Sequence, residues 1–191
     1  MATETRESVL AHALQLFSKR GYEGVGVQEI AASAGVTKPT LYYYFKSKQG
    51  LLCTLLNERL SPMLAALDDQ DATDGIESGL HRCAETVFGY ATADPEMYRL
   101  FLALIFAPPE SPQFEEAAGH AKRQFLAMER HFQHALEEGV LQDAPALLAA
   151  TFQGAIHNYI TLFLLGHIQL DRHAAQDVVH RFIHGIRYSG K

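Results

Sequence analysis

The sequence predicts an all-α protein, and three observations carry that prediction. Apolar residues recur at helical spacing along most of the 191-residue chain. Glycines and prolines fall between the patterned stretches, at Gly21, Gly35, Gly75, Gly139 and the Pro108–Pro109–Pro112 cluster. Residues 27–52 read as a short helix, a glycine turn, a second short helix and the start of a third.

Leu10, Ala13, Leu14 and Phe17 stand at i, i+3, i+4 and i+7, which predicts one helix over roughly Thr3–Arg20 with a single buried stripe. Lys19 and Arg20 suit its C-terminal dipole, and Gly21 is a natural stop. The next helix is expected to begin near Val27 and to bury Ile30, Ala31 and Ala34. Gly35 ends it, because glycine enters the left-handed region without steric cost. Thr37 is placed to cap a helix over Lys38–Tyr44, with Pro39 in its first turn, where a missing N–H costs nothing. Leu41 and Phe45 face inward, which leaves Lys38, Thr40, Tyr42, Tyr43 and Tyr44 for the other faces.

Helix, turn, helix is a plan whose second helix enters a DNA major groove. Exposed tyrosines beside a lysine fit that use. A hydroxyl donates to phosphate, a ring packs on sugar or a thymine methyl, and lysine neutralises phosphate charge. Ser47 caps the helix that follows, and its N-terminus together with Lys48 forms an anion site.

Gly21-Tyr22, Ile30-Ala31, Ala34-Gly35-Val36-Thr37, Thr40-Leu41-Tyr42, Tyr44-Phe45 and Ser47-Lys48 together resemble the N-terminal domain of the TetR family of bacterial transcriptional repressors. The motif covers about a quarter of the chain, in one register without a gap. The resemblance implies an all-α homodimer with a helix-turn-helix DNA-binding domain over residues 1–50 and an effector-binding and dimerisation domain over residues 51–191. Carried over residue by residue, Gln28 matches a position that touches a base edge. Thr37, Lys38 and Pro39 match the start of the recognition helix, which meets bases and phosphates. Thr40, Tyr42, Tyr43 and Lys48 match the phosphate clamp. The chain departs from the pattern at Val25 and Gly26, where the family usually carries Thr or Ser, so a hydroxyl cap on the first motif helix is missing.

The formal net charge of −6 looks unsuited to DNA until it is divided. Residues 1–50 hold six basic and four acidic residues, and the remainder holds ten and eighteen. A weakly basic arm on an acidic body is the asymmetry a nucleic-acid reader shows. Cys53 and Cys83 lie in apolar stripes, as reduced thiols of a cytoplasmic protein do. No signal peptide is visible, and no apolar run is long and clean enough for a bilayer, so no membrane partner is expected.

Leu51, Leu52, Leu55, Leu56 and Leu60 continue the third motif helix until Pro62, which is expected to kink or end it. Residues 68–75 form a polar linker. Further helices follow over 76–91, from Asp94-Pro95 to Phe106, along the stripe Phe114–Ala135, over about 146–165, and from about Arg172 to Tyr188. The helix near 146–165 is apolar nearly all round, so it needs either a central position in one protomer or a partner subunit. Its pairing with the last helix of each protomer would make a two-fold four-helix bundle, which the resemblance favours.

Gln153, His157 and Thr161, with Asn158 beside them, interrupt that helix with a polar stripe that either bonds across the dimer or faces a small molecule. Tyr90, Tyr98, Phe101, Phe125 and Met128, with His157, are the candidate walls of an effector pocket, although each alone is what an ordinary core contains. His173, Asp177, His180 and His184 share one face of the last helix, and His131 and His134 lie together on the helix along Phe114–Ala135. A metal site needs convergent ligands from elsewhere, so the stripe is expected to be solvated or at the dimer rim, and neither metal nor cofactor is expected. The opposite, buried face is assigned to Val178, Val179, Phe182, Ile183 and Ile186.

No phosphate-binding glycine loop, nucleophile elbow or HExxH appears, so no enzymatic role is expected. The expected function is a ligand-responsive transcriptional regulator: a repressor bound to a quasi-palindromic double-stranded operator and released by a small hydrophobic molecule. The alternative is a helical protein-interaction or small-molecule-binding module that does not bind DNA.

Overall fold

A computed structural model describes residues 2–185 of the chain. Among the described residues the regular structure is helical throughout: α1 Ala2–Arg20, α2 Val27–Ser33, α3 Lys38–Phe45, α4 Lys48–Asp68, α5 Ile76–Ala93, α6 Pro95–Ile105, α7 Pro112–Glu137, α8 Pro145–Leu164 and α9 Arg172–His184. Ile186 and Tyr188, assigned above to the last helix, lie outside the described residues.

Packing divides the chain into two compact units. One comprises Met1–Ser61 with Glu96–Ala121, the other Pro62–Pro95 with Lys122–Lys191. Helices α4 and α7 each contribute to both.

In the first unit α1, α2 and α3 pack on one another pairwise. The α1 stripe Leu10, Ala13, Leu14 and Phe17 is buried as expected, joined by Val9, Ile30, Ala31, Leu41 and Phe45. Ala34 is only half-buried, because it already sits at the C-cap of α2. Val25, where the family usually has a hydroxyl, is buried in the core and fills it with apolar volume instead. The leucines of α4 are buried through Leu60, and Pro62 does not end the helix. The ring removes one backbone donor. Burial of Met63, Leu64 and Leu67 beyond it compensates, and α4 continues to Asp68. Phe106, grouped with α6 from its spacing, stands after the helix end and is exposed.

In the second unit α5, α8 and α9 pack pairwise. Phe132 of α7, Phe152 of α8 and Phe182 of α9 form a three-ring cluster with centroids 5.1–6.4 Å apart. Tyr159 of α8 stacks on Phe88 of α5 at 6.0 Å and donates its hydroxyl to Asp177 of α9 at 2.5 Å. Helix α8 buries only Ala149, Phe152, Ile156 and Ile160. Leu147 and Leu165 are 68% and 62% exposed, so α8 is not the central helix of a self-contained protomer. By length and composition α8 also meets the requirement for crossing a membrane, contrary to the expectation that no apolar run is long and clean enough. Its buried stripe packs against α5 and α9 within this unit. On α9, Val178 and Val179 are buried and Phe182 is half-buried, but Ile183, in the last turn of the helix, is exposed.

Candidate nucleic-acid interface

The turn between α2 and α3 closes its own backbone groups. The Val36 N–H donates to the Ala31 carbonyl at 2.9 Å, and Gly35 between them takes φ 69°. The N-terminus of α2 at Gly26 has no side-chain cap, as the missing hydroxyl predicted. Arg20 instead ties this corner from α1. It donates to the Gly24 carbonyl at 2.8 Å and pairs with Glu29 of α2.

Helix α3 is better capped. Thr37 Oγ1 accepts the Thr40 N–H at 3.3 Å and lies 2.8 Å from the Thr40 hydroxyl. Leu41 and Phe45 are buried, which anchors α3 from beneath. The opposite side carries Tyr43, 73% exposed, and Tyr42, with Lys38, Thr37 and Pro39 also exposed. Tyr44 is half-buried, its ring edge-on to that of Tyr43 at 5.2 Å, so it supports Tyr43 more than it presents itself. Thr40 and Lys48 are half-buried and Gln28 is exposed.

Each lysine of this region lies beside a ring. Lys38 Nζ is 5.6 Å from the Tyr42 centroid, Lys46 Nζ 5.8 Å from that of Tyr43, and Lys48 Nζ 4.1 Å from that of Tyr22. Such contacts restrain flexible cations without neutralising them. The roles of Tyr22 and Lys46 escaped the sequence reading. Gly21-Tyr22 was visible as a motif, but nothing local pairs Tyr22 with a lysine on α4. Ser47 caps α4 by accepting the Gly50 N–H at 2.9 Å, as expected.

The proposed pocket residues are divided between the two units. Tyr98 and Phe101 are buried in the first, edge-on at 5.9 Å. Met128 is buried in the second, where Tyr90, Phe125 and His157 are half-buried. Burial pushes His157 down to about 4, so its imidazole is neutral near pH 7. The second unit also carries a hollow of about 730 Å³ lined by Asp74, Arg82, Glu85, Glu138 and Arg172. Its charges are largely paired among themselves, Arg82 with Asp74 at 3.1 Å and Arg172 with Glu85 at 3.5 Å.

His173, His180 and His184 are exposed. Asp177 is engaged by the Tyr159 hydroxyl and by Arg181 Nε at 2.8 Å, which hold its carboxyl below the usual range. Among the described residues no three His, Cys, Asp or Glu side chains are arranged to hold a metal. Cys83 is buried, and burial pushes its thiol up to about 12. Cys53 is half-buried rather than buried, because it contacts Asn57 near the surface of α4.

Residues 9–53 match the family model described as bacterial regulatory proteins, tetR family. The chain is 26% identical over 193 residues to the HTH-type transcriptional regulator YdgC of Bacillus subtilis, covering 98% of this chain and 95% of that one. Among solved structures, the regulator FadR of Bacillus subtilis in complex with stearoyl-CoA superposes with TM-score 0.79 at 18% identity, over 95% of this chain and 99% of that one. The TetR family transcriptional regulator PfmR of Thermus thermophilus superposes with TM-score 0.75 at 21% identity, over 94% and 99%. These two show the fold. Residues 9–53 match the tetR family of bacterial regulatory proteins, and the chain is similar along its length to an HTH-type transcriptional regulator.

Proposed function

We propose that the protein is a cytoplasmic homodimeric repressor, without enzymatic activity, that docks two α3 helices in successive major grooves of a quasi-palindromic operator. The observation that carries this reading is the surface of α3. Two tyrosines stand exposed beside ring-restrained lysines on a helix whose other side is buried. By role, residues 1–50 read DNA and residues 51–191 bind effector and dimerise. Gln28 and Lys38 meet base edges. Thr37, Pro39 and Thr40 set the helix against the backbone, and Tyr42, Tyr43 and Lys48 hold phosphates.

Dimerisation supplies the second reading head. The exposed Leu147 and Leu162 of α8 and Leu165 at its C-cap, with Ile183 of α9, support pairing of the last two helices about a two-fold axis. The effector is a small hydrophobic molecule, and the acyl-CoA held by the FadR neighbour supports an acyl-chain type. It acts by favouring a conformer whose two reading heads no longer match half-sites about 34–36 Å apart.

The test is selection of duplexes from a random pool with the full-length protein, followed by titration at several salt concentrations. A palindromic consensus with a steep salt slope is expected. Enrichment of no sequence would favour the helical interaction module instead.

A further inference from the structure

Four charges join α1 to α4 in reciprocal order. Arg6 of α1 directs both terminal nitrogens at Glu58 of α4, with Nη1 to Oε2 at 3.1 Å. The neighbouring pair runs the other way, with Arg59 of α4 3.5 Å from Glu7 of α1. Arg6 also contacts Glu7 at 3.3 Å, so the four groups form one network. Its guanidinium lies 5.7 Å from the ring centroid of Phe45, the buried last residue of the recognition helix. One side chain of α1 thus touches both the end of α3 and the middle of α4. Helix α4 continues past Pro62 into the second compact unit, where Arg123 and Arg130 of α7 grip its last residue, Asp68.

We propose that Arg6 is a positioning residue for DNA reading: with Glu7 it clasps Glu58 and Arg59 and so fixes the bearing of the recognition helix on α4. This rests on the reading of α3 as the DNA-reading helix. None of the four residues needs to touch DNA. The clasp acts through Phe45 and through the α1–α4 spacing. Partly exposed ion pairs add little to global stability. Arg6 combines a two-pronged contact with a ring beneath it, a geometry that selects one orientation rather than adding much binding energy. An effector that moves α4 has to break or carry this clasp, which makes it part of the response as well as of the affinity.

The test exploits a sign. Glu58→Gln removes a negative charge from the DNA-binding unit, so simple electrostatics strengthens binding to every duplex. The clasp requires the opposite for the operator. Full-length native protein, E58Q, R6Q and the swap R6E/E58R are titrated against the operator selected from a random pool and against a scrambled duplex of equal length. Thermal unfolding is followed in parallel. E58Q and R6Q are expected to weaken operator binding about fivefold and to change scrambled binding less than twofold, with the swap recovering at least half of the loss. Operator binding by E58Q equal to or tighter than native overturns the clasp, as does an operator loss matched by the scrambled duplex. An operator loss that follows a fall in melting temperature and is not recovered by the swap overturns it too. Selection that enriches no sequence sinks the DNA reading itself, and the clasp with it.

Discussion

Lys48 holds its ammonium 4.1 Å from the ring centroid of Tyr22, a residue whose ring in turn packs on Phe17 of the α1 core at 5.2 Å. A cation in the first turn of α4 is therefore referenced to the core of the reading head rather than free in solvent. Burial lowers its pKa, opposed by the nearby Glu23 carboxylate. The ring leaves ammonium protons directed elsewhere for a phosphate near a helix N-terminus.

Lys48→Ala should weaken binding to all duplexes alike and reduce the salt slope by about one per protomer. Tyr22→Leu keeps the charge and loses only its placement, so affinity should fall roughly threefold with the slope unchanged. Anisotropy titrations over a range of salt separate the two. A slope that falls in Tyr22→Leu, or stays constant in Lys48→Ala, contradicts this division.

The junction of α3 and α4 is a three-residue turn. Lys46 takes φ 65°, ψ −41°, and the Ser47 N–H donates to the Phe45 carbonyl at 2.7 Å. Turns of this hand are rare and strained for a residue with a side chain. Lys46→Gly should raise stability by about 1 kcal/mol, and Lys46→Val should lower it by at least as much. Denaturant unfolding of the two variants reads the difference. Equal stabilities would show that the turn stores no such strain.

Much of this was legible in the sequence, and for a physical reason. The α1 stripe, the Thr37 and Ser47 caps, the Gly35 turn and the inward Leu41–Phe45 pair depend on residues a few positions apart, which spacing exposes directly. What escaped depends on distant partners or on cancelling effects. Arg6 with Glu58 and Lys48 with Tyr22 are joined only by the fold. A lysine gives no sign that its φ is positive, and the interruption by Pro62 is outweighed by leucines beyond it. The pocket was least legible, because an aromatic at helical spacing looks the same whether it seals a core or lines a cavity. Tyr98, Phe101 and Met128 are closed within their units.

His131 is 1% exposed, and neither ring nitrogen has a hydrogen-bond partner. Its ring lies where a side chain on Gly79 would be, since a Cβ there would stand 2.4 Å from Nδ1. Burial pushes His131 down to about 4, helped by Arg82 and Arg130. The unfolded chain binds this proton near pH 6.5, so between pH 6.5 and about 4 the unfolded state holds more protons than the folded one. Stability should therefore fall as pH drops through that window, by up to about 1.4 kcal/mol per pH unit for each such histidine. His157, also pushed down to about 4, adds to the slope. His131→Leu removes an unpaired donor, so it should be neutral or stabilising at pH 7 and should lose less stability on acidification. Urea titrations at pH 7 and pH 5 check this, and an unchanged pH profile in His131→Leu would count against it.

Helix α8 supplies the last prediction. Its exposed leucines cost a lone protomer solvation it does not recover, and Leu162 stands 41% exposed in the last turn of the helix. Burial of such a side chain against a partner is worth about 2 kcal/mol, and two-fold symmetry counts it twice. In the proposed dimer, Leu162→Lys would bring a charge from each protomer into the interface between the last two helices. The variant should sediment as a single protomer while its helical circular dichroism stays native, because Leu162 is outside the α8 stripe that meets α5 and α9. Operator affinity should then fall by two orders of magnitude or more, since two linked reading heads owe their tightness to effective concentration. Binding to a single half-site should change little. A dimer that survives Leu162→Lys and a matching change at Leu147 would mean that the two reading heads are joined through some other surface.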